Sequence, residues 1–207
     1  VESAYFHGIL VVAAAGNRGD AEDATAYAPA NDPFALSVGA VDDQGTAARD
    51  DDTVASWSSA GVTQDGLAKP DVTAPGAHIV SVAAPSSAFL TLCPACTIGG
   101  SYFKAGGTSM AAAVVSGEAA DVIQAFPNLT PDQVKKTIIK RSRAVTTSST
   151  TTDVLVDASG APLPATTTST TTITNGEVGA DKAIIGWAVA GVTRYTVTPL
   201  EEQRLAE

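Results

Sequence analysis

Apolar residues in this chain gather into short continuous runs and seldom alternate with polar ones. Residues 9–15, Ile-Leu-Val-Val-Ala-Ala-Ala, are β-branched or small throughout and are stopped by Gly16-Asn17. A strand apolar on both faces belongs in the middle of a parallel sheet. Residues 35–41 have the same character, and 54–57 and 78–83 predict two shorter strands. The run that opens at Gly106-Gly107-Thr108-Ser109 is rich in Ala, Val and Gly. It predicts a buried helix reaching about residue 126, where Pro127 and Asn128 stop it. A second helix starts with Thr130 as cap, Pro131 at its first position and Asp132 in its first turn. It places Val134, Ile138 and Ile139 on one face. Its basic end, Lys140, Arg141 and Arg143, complements the helix C-terminus and needs no ligand to explain it. Residues 1–6 read as the tail of a helix, so the sequence is expected to start in mid-element.

Between these elements the chain is loop. Residues 27–33 are punctuated by proline, and the isomer of the Ala28–Pro29 bond is left open. The acidic stretch 42–52, the stretch 61–69 and residues 86–100 read as loops, the last as an extended loop or hairpin. From 146 to 172 the composition turns to Thr and Ser, which reads as a surface insertion, poorly ordered or weakly extended. The expected organisation is a domain over 1–145, the insertion 146–172, a closing strand-to-helix element over 173–186 and a tail over 187–207.

Composition narrows the class. The 207 residues are 44% hydrophobic and 16% charged, with 18 glycines and 11 prolines. This fits a loop-rich α/β protein packed with small residues. Twelve basic against 22 acidic residues give a net charge of −10. That balance disfavours nucleic acid and anionic membrane as partners. The longest apolar run is too short to cross a bilayer. Acidic, Thr-rich composition points to secretion, and no signal peptide is visible.

Ser109 carries two readings at this point. A serine at a helix start is commonly an N-cap. The same end presents unpaired backbone N–H groups and partial positive charge, which suit a developing oxyanion beside a nucleophile.

Three separated motifs bear on that choice: Ala14-Ala15-Gly16-Asn17, Lys69-Pro70-Asp71-Val72 with Ala74-Pro75-Gly76, and Gly107-Thr108-Ser109-Met110-Ala111. In this order and spacing they resemble the C-terminal half of the catalytic domain of a subtilisin-like serine peptidase, a subtilase. Ser37-Val38-Gly39-Ala40-Val41-Asp42 and Ser56-Trp57-Ser58-Ser59-Ala60-Gly61 agree, and Gly176-Glu177-Val178-Gly179-Ala180 is similar to the family's closing segment. The resemblance implies a three-layer α/β/α fold with a mostly parallel sheet, incomplete at the N-terminus. It implies a serine endopeptidase acting on protein or peptide substrates, with Ser109 as nucleophile and Asn17 in the oxyanion hole. Gly16, Arg18 and Tyr27 would line the pocket for the residue before the scissile bond. Arg18 there would favour an acidic or polar side chain, or stand as a solvated surface residue.

The family's histidine base and aspartate orienter have no matching segment in this sequence. His7 and His78 lack the surrounding motif, and Asp71 reads as a hydrogen-bonded loop carboxylate. The base and orienter are therefore expected upstream, in an N-terminal half that is this chain's expected partner, and the chain by itself is expected to be inactive. Ala113-Val114 stand where the family has Pro-His. That change removes a helix kink and is compatible with an active enzyme or with a non-catalytic binding or structural module. An extracellular adhesion fragment is a weaker alternative, because it leaves Gly-Thr-Ser-Met-Ala unexplained. Cys93 and Cys96 are too few for zinc and favour a local disulfide over free thiols. No cofactor is required. Asp50-Asp51-Asp52 reads as a solvated turn, with structural calcium as the alternative.

Overall fold

The computed structural model describes residues 1–156 and 162–177. A short helix α1 (Glu2–Phe6) precedes strands β1 (Val12–Ala14) and β2 (Leu36–Asp42). Three two-residue strands follow, β3 (Thr53–Val54), β4 (Gly61–Val62) and β5 (Ala68–Lys69), and then β6 (Val72–Pro75). The chain next makes an excursion through β7 (Ile79–Val82), α2 (Ala88–Leu92), a 3-10 turn, β8 (Thr97–Ile98) and β9 (Tyr102–Ala105). It returns as the long helix α3 (Thr108–Ala125), followed by α4 (Pro131–Arg141), β10 (Arg143–Val156) and β11 (Pro162–Glu177).

The main sheet runs β1-β2-β6-β11-β10. Its first three strands are parallel, and β11 continues the parallel order where Glu177 pairs with Thr73. β3 and β10 are antiparallel additions. Residues 36–41 of β2 are all buried, as expected of a strand covered on both faces. Helix α3 lies across β1, β2 and β6, and its buried residues Thr108, Ala111, Val115, Ala119 and Val122 recur every three or four positions. Close approach is set by small residues. A Cβ on Gly76 would come within 2.7 Å of the Ala40 Cβ, 3.0 Å of the Gly107 carbonyl oxygen and 3.2 Å of the Ala111 Cβ. Only glycine fits where helix and sheet meet this tightly.

Helix α4 packs against α3, with Val134 and Ile138 buried. The Thr130 hydroxyl accepts the Gln133 N–H while the Gln133 side chain accepts the Thr130 N–H, a reciprocal cap that the sequence reading had seen only from the threonine side. Lys135 on the same face is buried as well. Its ammonium and that of Lys69 flank the Asp71 carboxylate at 3.2 and 2.9 Å. Asp71 also accepts the Ser37 N–H at 2.7 Å, and Lys135 donates to the carbonyls of Pro33 and Ala35. This buried cluster pins the amino ends of β2 and β6 to α4.

Several expectations change. The run 9–15 forms only a three-residue strand, which among the described residues sits at the sheet edge, with Ile9 exposed. Among the described residues β1 has α3 over it and β2 as its strand partner. The stretch 61–69 closes as a two-stranded hairpin, and 86–100 contains a helix and a strand. The Thr/Ser stretch lies in the antiparallel β10–β11 ladder, from Arg143 opposite Glu177 to Val156 opposite Pro162. Arg143 does not serve the end of α4. It sits in β10 and pairs with the buried Asp52 carboxylate. Asp51 accepts from Thr46, so the acidic triplet does not converge on one point. Among the described residues no group of three metal-suited side chains forms a calcium cage. The Ala28–Pro29 and Lys69–Pro70 bonds are cis. Cys93 and Cys96 are joined in a disulfide. Residues 178–186 of the closing element and the tail 187–207 lie outside the described residues.

Candidate active site

The carboxyl ends of β1 and β6 meet the first turn of α3, where parallel sheets commonly place their ligands. The Gly107 N–H donates to the Gly76 carbonyl at 2.9 Å, which fixes the helix start to the end of β6. Gly107 is the cap residue and Thr108 opens the helix, so Ser109 is its second residue. Ser109 is therefore not the N-cap, and its side chain is exposed while Thr108 beneath it is buried.

Thr108 holds the loop that leaves β1. Its N–H and its hydroxyl both donate to the Asn17 side-chain oxygen, at 2.9 and 3.1 Å. The same hydroxyl accepts the Gly16 N–H at 3.1 Å. Ser59 braces the other side, donating its N–H to the Gly16 carbonyl and accepting the Arg18 N–H on its hydroxyl. Gly16 has φ +110°, and a Cβ there would come within 2.9 Å of the Ser59 hydroxyl. With its oxygen committed to Thr108, the Asn17 amide must point its NH2 group away from the helix backbone.

The first helical N–H groups then sort themselves. Thr108 N–H goes to Asn17, and those of Met110 and Ala111 reach the Gly107 carbonyl. Among the described residues this leaves the Ser109 N–H and the Asn17 NH2 unused. Both border one small space. A methyl group built on Gly107 would lie 3.4 Å from Asn17 Nδ2 and 3.8 Å from Ser109 N. Two donors bordering a space kept open by a missing side chain, at a helix N-terminus, suit a single anionic oxygen.

The remaining candidates separate. Arg18 grips Asp23 through two nitrogens at 2.8–3.1 Å, and its guanidinium lies 5.4 Å from the centre of the Tyr27 ring. The Tyr27 hydroxyl donates to the same carboxylate at 2.9 Å. That hydroxyl, and then Arg18, hold the Asp23 carboxyl below its usual range, while Asp23 pushes both Arg18 and Tyr27 up. Arg18 is thus a clamped cation beside Asn17. Asp23 was not singled out in the sequence, since five residues of loop give no periodicity by which to foresee the pairing. His7 turns its imidazole to the Ser3 carbonyl, and His78 lies 3.6 Å from the Asp42 carboxylate. Neither is bonded to Ser109 among the described residues. Asp71 is held at the amino end of β6, away from Gly76. α3 runs unbroken through Ala113 and Val114.

The profile of the Subtilase family, Peptidase_S8, matches residues 1–187. Serine protease AprX of Bacillus subtilis (strain 168) is 46% identical over 136 residues, covering 66% of this chain and 30% of that protein. Subtilisin DY of Bacillus licheniformis is 35% identical over 137 residues, covering 65% of this chain and 40% of that protein. The chain thus spans well under half the length of these relatives. Among solved structures, sphericase superposes with a TM-score of 0.52 at 28% identity, over 68% of this chain and 42% of its own. Fervidolysin from Fervidobacterium pennivorans, described as a keratinolytic enzyme related to subtilisin, gives 0.55 at 28% identity, over 88% and 23%. The α/β fold with its mostly parallel sheet is subtilisin-like, and the chain belongs to the subtilase family.

Proposed function

We propose that this chain supplies the nucleophile and the oxyanion donors of a serine endopeptidase. The observation that carries the reading is the pair of donors unused among the described residues, Asn17 NH2 and Ser109 N–H, bordering one space at Gly107. Ser109 attacks the peptide carbonyl, the carbonyl oxygen becomes anionic between the two donors, and an acyl-enzyme forms and is hydrolysed by water. The base that takes the hydroxyl proton, and the carboxylate that orients it, come from residues outside this sequence, because His7, His78 and Asp71 are engaged elsewhere. Gly16 shapes the turn that presents Asn17, and Arg18 and Tyr27 flank the substrate. Secretion accords with the Cys93–Cys96 disulfide and the acidic surface.

The test is labelling with a fluorophosphonate. The full-length protein should label, and Ser109→Ala should not. Asn17→Ala should fold and label more slowly, by the order of 10²–10³ that such a donor is worth in a subtilisin. Absence of labelling in the folded wild-type protein overturns the reading. It would instead favour a non-catalytic module, the alternative consistent with Ser109 having no imidazole partner here.

A further inference from the structure

Between Gly76 and Gly107 the chain leaves the main sheet and builds a separate three-stranded platform. β7 and β9 pair antiparallel from Ile79 opposite Ala105 to Val82 opposite Tyr102, and β8 adds Ile98 on the far side of Tyr102. Pleating puts Ile79, Ser81, Phe103 and Ala105 on one face, and Val80, Val82, Tyr102 and Lys104 on the other. On the first face Ile79, Phe103 and Ala105 are half-buried, with the Phe89 ring of α2 lying 6.0 Å from that of Phe103. Among the described residues the second stays open: Val80 is 50% exposed, Val82 77%, Tyr102 49% and Ile98 44%. A two-stranded ribbon alone is marginal in water. Here the third strand and the Cys93–Cys96 bridge, which closes the turn between α2 and β8, stiffen it. An apolar face held rigid and left open is the form of a binding surface.

Its position names the occupant. Both strands root in the turn that presents Ser109, since β7 begins just after Gly76, β9 ends just before Gly106, and Gly76 and Gly107 are hydrogen-bonded. The Val82–Tyr102 rung is the fourth from that root, roughly 10 Å along the ribbon at about 3.3 Å per residue. A polypeptide with its carbonyl at Ser109 reaches it within a few extended residues. Lys104 stands opposite Val80 on the bare face, in a chain of net charge −10. A second copy would bring the same negative charge, whereas an acidic side chain flanked by apolar ones complements the patch.

We infer that Val80, Val82, Ile98 and Tyr102, with Lys104, form an exosite for an extended stretch of the substrate polypeptide that carries apolar side chains and a carboxylate. This rests on the peptidase reading above. It adds that cleavage is selected by sequence several residues from the scissile bond, through a surface separate from Asn17 and Ser109.

The experiment compares two fluorogenic peptides with the same residues around the scissile bond. One is short, and the other is extended by Val, Leu and Glu on the side that spans the platform. Both extensions, before and after the scissile bond, are made. In wild type one extension should raise kcat/KM about tenfold, through KM. Val80→Thr with Val82→Thr, which keeps β-branching, should abolish that gain and leave short-peptide turnover and fluorophosphonate labelling unchanged. Lys104→Glu should transfer the preference from a Glu-bearing to a Lys-bearing extension, and as a surface exchange it does not threaten folding. The inference is overturned if labelling proceeds and neither extension helps, or if the variants slow short and long peptides equally. A wild-type dimer that Val82→Thr dissolves would also overturn it, by giving the face to a second copy. A protein that fails to label at all defeats the peptidase reading first, and the two failures are thereby told apart.

Discussion

The two ends of the parallel strands in this subtilase chain are joined to the helices by opposite chemistry. At the amino ends, charge is buried and fully engaged: Asp71 takes Lys69, Lys135 and the Ser37 N–H, and Lys135 also satisfies two carbonyls. At the carboxyl ends the contacts are neutral and small. Glycines at 16, 76 and 107 bring loop and helix together, and Thr108 ties down Asn17. Among the described residues donors at this end are left open, and the ion pair beside them, Arg18 with Asp23, is exposed. Satisfied groups hold a fold, and groups held in place yet unsatisfied are free to meet a substrate. The same pairing of cation and carboxylate thus serves structure at one end and leaves a tunable rim at the other.

The largest expected effect breaks the buried end. Asp71→Ala leaves two ammonium groups in the interior without their carboxylate, and such uncompensated charge costs about 3–5 kcal/mol. Urea unfolding should show a loss of unfolding free energy of that size. Replacing Asp71, Lys69 and Lys135 together by Leu, Met and Met should recover most of it, because the penalty lies in the unpaired charge. If Asp71→Ala unfolds like wild type, the cluster is not what joins β2, β6 and α4.

The open end should respond in the opposite sense, with fold intact and chemistry lost. Gly107→Ala adds a methyl whose nearest neighbours lie at 3.4–3.8 Å, ordinary contact distances, so the unfolding midpoint should scarcely move. That methyl occupies the space between Asn17 Nδ2 and Ser109 N. Labelling of Ser109 should fall by about 10² if an oxyanion must sit there. Retained labelling would separate the two donors from the reaction.

How far this contrast could be read in advance follows from the range of each interaction. Helices α3 and α4 were legible because their signals are local: Thr130-Pro131-Asp132 caps α4, and glycine and alanine mark the start of α3. The Asn17 and Ser109 candidates came from motif spacing. Their mutual orientation did not, since it depends on Thr108 meeting a loop 91 residues away in sequence. Lys135 carried no local signal, because its carboxylate partner Asp71 is brought by another strand. Residues 9–15 predicted a strand, and of it β1 keeps Val12–Ala14, paired with β2 among the described residues. The β7–β9–β8 platform was hidden in a stretch with prolines, serines and a Cys-Pro-Ala-Cys turn, whose pairing only the register reveals.

The smallest effect lies at the exposed ion pair, and it sharpens the comparison most. Asp23→Asn should leave the unfolding midpoint unchanged, because an exposed pair contributes little to stability. It releases the Arg18 guanidinium one residue from Asn17. Peptides with a carboxylate beside the scissile bond should then gain about threefold over neutral ones, a gain that falls as salt is raised. The wild-type clamp can also be opened by acid, and its sign is fixed by the lowered pKa of Asp23. A carboxyl whose folded value lies below its unfolded one favours the folded, clamped form above the ordinary carboxylate range. That contribution fades only as pH falls through the lowered value. Carboxyl-carbon NMR should therefore find Asp23 titrating below an unperturbed aspartate, and Tyr27→Phe, which deletes the largest lowering contact, should raise it. An Asp23 that titrates normally would mean that Arg18 is already free, and Asp23→Asn would then change nothing.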